Sequence, residues 1–598
     1  MSSADRSHTF RESNVKRRAS VVYGSVGKGG LYLPQDFIKP STVRGSTADD
    51  EEEEEEDEAD NVVSEYAPLL GASASTATTH EPTKMRRHSS VHRELVQQER
   101  ELLEDNNIKV VHSPHRDADG DVEATFEDAA KDHLVATTSL IEFKSLVKSS
   151  VPLVVTFLLQ NSLSTVSVFT VGHLGATELA AVSMGAMTAN ITGYATIQGI
   201  ATALDTLCPQ AFGAKKYHLV GTYMQKCIAL IFTIMLPILL VWTFWGYTLI
   251  TLILPDKETA KLAAVYLQYI APGIPGYILF ECGKRFLQAQ GVYHISTYVL
   301  LFGAPCNAVM NYYLVQKLGY YGAPIAVAIN YWLMAGGLFL ATIYGIKAED
   351  TPTGLHPLVC WGGLNVRVAF KAWDRLAYLA IPGLIMLEAE FLAFEILTLF
   401  ASYLGTIALA AQSIGTTMAS LTYQVPFAIG IASSTRIANF LGAGMGEAAK
   451  KTTQVAMAFG LAISFLNFFA LYIFQQEIAQ LFTSDERVIQ TVKDVMWLIA
   501  LMQVSDAVNA NSAGCLRGQG QTKIGGIVNL VSYYLVGLPL SVYLSFHNSV
   551  YKGSLDGLWI GSTVALTLIG VLQSYFSLFA DFDKLCEDAT NRTAEPTV

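Results

Sequence analysis

The chain has 598 residues, 51% of them hydrophobic and only 15% charged, against about 25% charged in an ordinary soluble protein. Its mean hydropathy is +0.33. These values exclude a soluble protein and indicate a polytopic membrane protein; the formal net charge of −12 belongs mostly to the N-terminal region and gives no case for a nucleic-acid partner.

Residues 1–140 form an expected disordered cytoplasmic tail, rich in Ser, Thr, Asp, Glu and Arg. The run from Asp49 to Asp60 repels itself and stays extended. Lys16-Arg17-Arg18-Ala19-Ser20 and Arg86-Arg87-His88-Ser89 resemble basophilic kinase sites, and Glu65-Tyr66-Ala67-Pro68-Leu69-Leu70 resembles an acidic dileucine sorting signal. Kinases and sorting adaptors are therefore the partners this region suggests, and the dileucine string tips the location towards the vacuolar rather than the plasma membrane. The segment from His92 to Asp105 has the pattern of a short helix. The first thirty residues are polar and basic, so no signal peptide is expected and the first membrane span directs insertion.

Twelve apolar spans follow, at roughly 147–170, 179–204, 221–246, 260–282, 295–316, 322–346, 376–402, 406–433, 450–475, 488–515, 524–546 and 556–580. The polar break at 347–375, with Pro352, Gly354, Pro357 and Gly362-Gly363, divides them six and six. The expected organisation is an all-α membrane protein with an N-lobe at 145–346, a cytoplasmic linker at 347–375, a C-lobe at 376–580 and a cytoplasmic C-terminal tail at 581–598. The halves repeat. The stretch Leu174 to Gly185 (LGATELAAVSMG) aligns at an offset of 230 with Leu404 to Gly415 (LGTIALAAQSIG), identical at seven of twelve positions. Gly213-Ala214 parallels Gly442-Ala443. Six-helix units repeat in the same sense across a membrane, giving two pseudo-symmetric lobes about a central cleft, which is a transporter architecture.

With the N-terminus inside, the inner loops hold Lys215, Lys216, Lys284, Arg285, Lys347, Arg367, Lys371, Arg375, Arg436, Lys450, Lys451, Arg517 and Lys523. The outer loops hold Lys257, Lys261, Lys317, Arg487, Lys493 and Lys552. The excess places both termini in the cytoplasm.

Two motif sets carry a resemblance. The first is Gly172-His173-Leu174-Gly175, Ala203-Leu204-Asp205-Thr206-Leu207-Cys208 and Gln210-Ala211-Phe212-Gly213-Ala214. The second is Ala411-Gln412-Ser413-Ile414, Val425-Pro426, Arg436-Ile437-Ala438-Asn439, Leu516-Arg517-Gly518-Gln519-Gly520 and Tyr533-Tyr534. Together they resemble the multidrug and toxic compound extrusion (MATE) family, eukaryotic type, with a tail like that of fungal members. Pro209 stands where the family usually has Gly and is expected to bend the end of the second span. The resemblance implies an antiporter that expels organic cations, drugs or metabolites against a proton gradient, with a sodium gradient the lesser alternative.

Three carboxylates interrupt the seventh span, Glu388, Glu390 and Glu395, although a charge at membrane depth costs ~3 kcal/mol even on insertion scales. The family pattern selects Glu390 and Glu395; Glu388 is an addition. At 100° per residue, Glu388 and Glu395 lie about 20° apart and Glu390 about 140° from Glu395. Glu395 satisfies both arguments, and with Asp506 it is the expected proton and cation site. Asp506 stands eleven residues before Arg517, the spacing of the family's acidic position, with Asn509 and Asn511 nearby. A carboxylate at membrane depth without a fixed cation can exchange a proton for a cationic substrate. For Glu388 the competing reading is a paired structural ion.

Asn190 matches a polar family position, and Gln412 and Tyr423 are the polar groups left in the eighth span, where Thr417 replaces a Glu carried by some animal members. All three are candidate cleft residues; for Gln412 and Tyr423 ordinary interhelical hydrogen bonding is the competing reading. Asp205 and Arg436, equivalent in the repeat, are expected to be structural or gating charges at the cytoplasmic mouth. Glu281 is expected to pair locally with Lys284 and Arg285.

A flippase for lipid-linked precursors is the alternative cargo reading, disfavoured by acidic cleft candidates. An enzyme is disfavoured because the histidines are isolated and no GxSxG or HExxH string occurs; no P-loop occurs either, so an ion gradient is the expected energy source. Cys208, Cys227, Cys282, Cys306, Cys360, Cys515 and Cys586 show no metal or disulfide spacing.

Overall fold

A computed structural model describes residues 137–594 apart from 172–173, 254–256, 349–350, 352–354 and 483–485, together with isolated positions between 100 and 125. The acidic run, the kinase-like and dileucine strings, Gly172-His173, Pro352 and Gly354 lie outside the described residues. Those described are almost entirely helical and contain no strand. The spans are α1 (Ser139–Val171), α2 (residues 176–213), α3 (Tyr217–Ile253), α4 (residues 257–289), α5 (His294–Leu318), α6 (residues 322–345), α7 (Asp374–Tyr403), α8 (Thr406–Gly442), α9 (Gly446–Ile473), α10 (Glu486–Gln519), α11 (residues 522–547) and α12 (Asp556–Leu578). A final helix, α13 (Phe582–Thr593), follows. Among the described residues, eight helical stretches are long and apolar enough to cross a membrane by length and composition; one, at 294–345, holds both α5 and α6.

Prolines inside the spans remove backbone donors, and neighbouring side chains replace them. Pro209 lies within the helical segment Leu204–Gly213 of α2, where its ring deprives the Asp205 carbonyl of an N–H; the Ser434 hydroxyl donates to that carbonyl at 3.5 Å. Pro426 does the same to the Thr422 carbonyl, which accepts from Asn467 Nδ2 at 3.3 Å. The break in α2 falls instead at Thr202–Ala203, before Pro209.

The repeat is visible in the backbone. Gly291 (φ 77°) after α4 matches Gly520 (φ 73°) after α10, and Lys215 (φ 61°) after α2 matches Gly444 (φ 82°) after α8. The contacts between the halves repeat too: α1 packs on α8 as α7 packs on α2, and α2 packs on α8. These contacts concentrate at one end. There α2 is buried almost without exception from Ala195 to Gly213 and α8 from Ala428 to Gly442, whereas their opposite ends are half-exposed. The backbones touch: a Cβ on Gly442 would come within 2.1 Å of the Gln210 carbonyl, and one on Gly199 within 2.7 Å of Leu384 Cα. Thr206 also donates to the Arg517 carbonyl. The molecule is therefore shut at the end carrying residues 199–213 and 430–444.

Four cations expected in loops are buried at this end instead. Lys284, Arg285, Arg436 and Arg517 lie among the helices. Arg436 is clamped by Glu142 of α1, which accepts from its Nη2 at 2.7 Å and also from its Nε. Arg285 faces Asp205 at 3.2 Å.

The expected C-terminal tail is in part a strap. Phe582, Leu585, Ala589 and Thr593 form the buried stripe of α13, packed on α8, α9 and the end of α2. Its last carbonyls accept from three places: Tyr223 OH to Arg592 O at 3.0 Å, Lys216 Nζ to Thr593 O at 3.1 Å, and Arg375 Nη1 to Ala594 O at 2.6 Å. Part of the expected disordered tail is packed here as well, since Leu103 and Val122 are buried in one cluster with Leu146, Leu153, Ala448 and Phe582.

Candidate functional site

The rotation of α7 is fixed from α11. Asn529 Nδ2 donates to the Met386 carbonyl at 3.0 Å and Tyr534 OH to the Ala389 carbonyl at 3.1 Å. Gly525 lets the helices close: a Cβ there would meet Met386 Sδ at 2.5 Å. Asn529 is itself held by Gln573 of α12 at 2.8 Å, and Gln573 accepts from Ser512 of α10 at 3.3 Å. The buried stripe Met386, Ala389, Ala393 and Leu397 therefore faces the C-lobe interior.

This rotation carries Glu390 inward to Asp506 of α10. The Asn509 side chain lies beside both carboxylates. Tyr423 of α8 and Tyr533 of α11 are close enough to feel both charges, and Tyr423 stacks on Phe427 at 5.6 Å. Asp506 Oδ1, Asn509 Oδ1 and the Tyr533 hydroxyl are buried without a hydrogen-bond partner. Arg517 acts on Glu390 only through space; its guanidinium lies over the Phe427 ring at 5.8 Å. Among the described residues neither carboxylate has a salt bridge.

The N-lobe holds a buried polar cluster of a different kind. Glu281 accepts from Lys284 at 2.8 Å and from Gln160 of α1 at 2.6 Å, and it also pairs with Arg285. Gln198 of α2 donates to Tyr277 OH at 2.7 Å. Lys284 and Arg285 balance Glu281 and Asp205, so this cluster brings its own counter-ions, and the local pairing expected for Glu281 is present. The register set by Gly291 and Gly520 makes Tyr277 the equivalent of Asp506. One lobe has a hydrogen-bonded phenol where the other has an acid.

Two carboxylates this close repel each other when both are ionised, and a proton or an incoming cation relieves that repulsion. The C-lobe pair can do this chemistry. The N-lobe cluster, already neutralised, cannot.

The sequence-derived candidates separate accordingly. Glu390, Asp506 and Tyr423 come together. Glu395 does not join Asp506; it lies half-buried on the Glu388 face, with no hydrogen bond or ion pair among the described residues. Glu388 points across the seam between the halves and accepts from Thr196 of α2 at 3.0 Å. Asn190 is exposed at the start of a π-helical turn, Asn190–Tyr194, in α2. Gln412 is buried with its Oε1 unpartnered. Sequence reasoning missed Gln160 and Gln198. Gln160 in the apolar run Phe157-Leu158-Leu159-Gln160-Asn161 was the available signal.

The family model described as MatE matches residues 152–313 and again 382–543, one copy per half. An uncharacterised transporter of Saccharomyces cerevisiae is 44% identical over 455 residues, 75% of this chain and 63% of that protein, so the chain spans less than two thirds of its length. The protein DETOXIFICATION 17 of Arabidopsis thaliana is 33% identical over 478 residues, 78% of this chain and 97% of that one. The crystal structure of the eukaryotic MATE transporter AtDTX14 superposes with a TM-score of 0.70 at 28% identity, covering 76% of this chain and 100% of that one. With the family pattern matched in both halves and carried at this identity across a nearly complete relative, the chain belongs to the MATE family of membrane transporters and is not an enzyme.

Proposed function

We propose that the chain is a secondary active antiporter that exports organic cations, drugs or metabolites in exchange for protons by alternating access of its two lobes, 145–346 and 376–580. The observation carrying this reading is the Glu390–Asp506 pair beside Asn509 in the C-lobe, with Asp506 buried, Glu390 half-buried and no salt bridge to either among the described residues. A cation arriving in the cleft takes the place of the pair's proton, and reprotonation releases it on the other side. Tyr423 and Tyr533 offer ring faces and hydroxyls to such a ligand. The closed end is the cytoplasmic one in this reading, in keeping with the basic loops Lys215-Lys216 and Lys450-Lys451. The name DETOXIFICATION given to the Arabidopsis relative is in keeping with a xenobiotic or metabolite cargo, and the vacuolar membrane remains the proposed location.

The test is transport by the purified full chain in liposomes with an imposed pH gradient, using tetraethylammonium as the probe cation. Flux that follows the gradient and collapses with a protonophore supports the reading. Full flux persisting after the protonophore contradicts it.

A further inference from the structure

Residues 360–373 of the segment between the halves are not a loose tether. Gln225 of α3 grips its backbone on both sides: Nε2 donates to the Gly363 carbonyl at 2.7 Å, and Oε1 accepts from the Asn365 N–H at 2.9 Å. Gly221 permits that approach, since a Cβ there would come within 2.1 Å of the Trp361 carbonyl. A short helical turn, Val366–Ala369, follows, capped by Asn365 Oδ1 on the Val368 N–H at 3.2 Å. Trp373 Nε1 closes the far side on the Ala369 carbonyl at 2.7 Å.

This fixed backbone turns its apolar side chains outward. Leu364 is 75% exposed, and Val366 and Phe370 are each 58% exposed. Arg367 and Lys371 are exposed beside them. A pinned backbone that presents four exposed apolar groups, Leu364, Val366, Phe370 and the less exposed Val368, with two cations has the composition of an interfacial membrane anchor. Its position agrees. Gln225 and Lys226 sit at the edge of the apolar run of α3, which begins at Cys227. The exposed apolar surface continues from Phe370 to Tyr378 and Ile381 on α7, within the span expected from sequence at 376–402.

We propose that residues 364–371 form a membrane-surface anchor. Leu364, Val366 and Phe370 enter the acyl boundary of the leaflet at the closed end, and Arg367 and Lys371 bind anionic phospholipid headgroups there. The bilayer is the occupant because the patch is continuous with lipid-facing surface and its charges are of one sign, complementary to an anionic leaflet. The anchor joins α3 of one half to α7 of the other, so it holds the closed end to the membrane plane while the lobes move.

The test uses the full chain with its native cysteines replaced and a nitroxide at Val366→Cys, in nanodiscs of phosphatidylcholine with or without phosphatidylserine. Power saturation compares access of oxygen with access of a water-soluble nickel chelate. The expected result is greater oxygen access in both bilayers, a several-fold lower nickel access when phosphatidylserine is present, and loss of that lipid effect in R367Q/K371Q. A label more accessible to nickel in both bilayers overturns the anchor. Insertion that ignores phosphatidylserine overturns the headgroup site. No substrate is involved, so the outcome is separate from that of the transport reading.

Discussion

Glu142 is the carboxylate whose removal probes the closed end most sharply. It begins α1 and clamps Arg436 of α8, with a further bond from Thr452 Oγ1 at 2.8 Å. Glu142 is fully buried and Arg436 only 4% exposed. Removing one partner of a buried pair costs ~3–5 kcal/mol, because the other charge stays buried. That cost applies in full only while α1 and α8 remain together; once the lobes part at this end, Arg436 regains water. Glu142→Ala therefore penalises the shut state selectively. At about 1.4 kcal/mol per tenfold, the equilibrium shifts towards opening by roughly one hundred- to several thousand-fold. Spin labels at Lys215→Cys and Lys450→Cys, on opposite halves at this end, report the change by double electron–electron resonance. The wild type should give one short distance and Glu142→Ala an added longer one. Replacing both Glu142 and Arg436 by Met should restore most of the short population, since apolar isosteres of a buried pair are often neutral. A folded Glu142→Ala variant with an unchanged distance distribution would refute the argument that this pair holds the end shut.

Three further outcomes follow from named contacts. Gly442→Val places a side chain where a Cβ would already meet the Gln210 carbonyl at 2.1 Å; the same labels should show the long distance, and a wild-type distribution counts against a tight seam. Arg375→Ala removes two bonds to the last carbonyls of α13, at 2.7 and 2.6 Å, each worth ~1–2 kcal/mol, so amide exchange across 582–593 should accelerate at least tenfold while α1 exchange stays unchanged. Tyr423→Phe keeps the stack on Phe427 and removes the hydroxyl beside the acid pair; the expected change is a several-fold rise in the apparent KM for tetraethylammonium with the protein's melting temperature held.

Much of this arrangement is legible in the sequence, for reasons that can be located. Apolar run length defines the spans, and the Leu174 and Leu404 repeats define the halves. Helical geometry also separates Glu390 from Glu388 and Glu395 correctly. It cannot say which of the two faces turns to α10. That choice is made by Asn529 and Tyr534 of α11, bonding to carbonyls of α7, and a one-dimensional pattern contains no such contact. Charge alone marks a boundary, so the sequence places the cations Arg436 and Arg517 in loops, while here each lies among helices, and Arg436 has a carboxylate partner more than 290 positions away. The strap α13 is a different case. Its stripe Phe582, Leu585, Ala589, Thr593 has helical spacing and stood in plain view, hidden only by its short length.

In the proposed mechanism Glu390 with Asp506, and not Glu395, forms the site where proton and cation exchange. This assignment is tested most directly by pH-gradient-driven tetraethylammonium transport in liposomes, comparing Glu390→Gln, Asp506→Asn and Glu395→Gln at matched protein incorporation. The first two should lose at least tenfold of the gradient-dependent flux while Glu395→Gln keeps most of it. Undiminished gradient-driven flux in Glu390→Gln, with loss in Glu395→Gln, contradicts it.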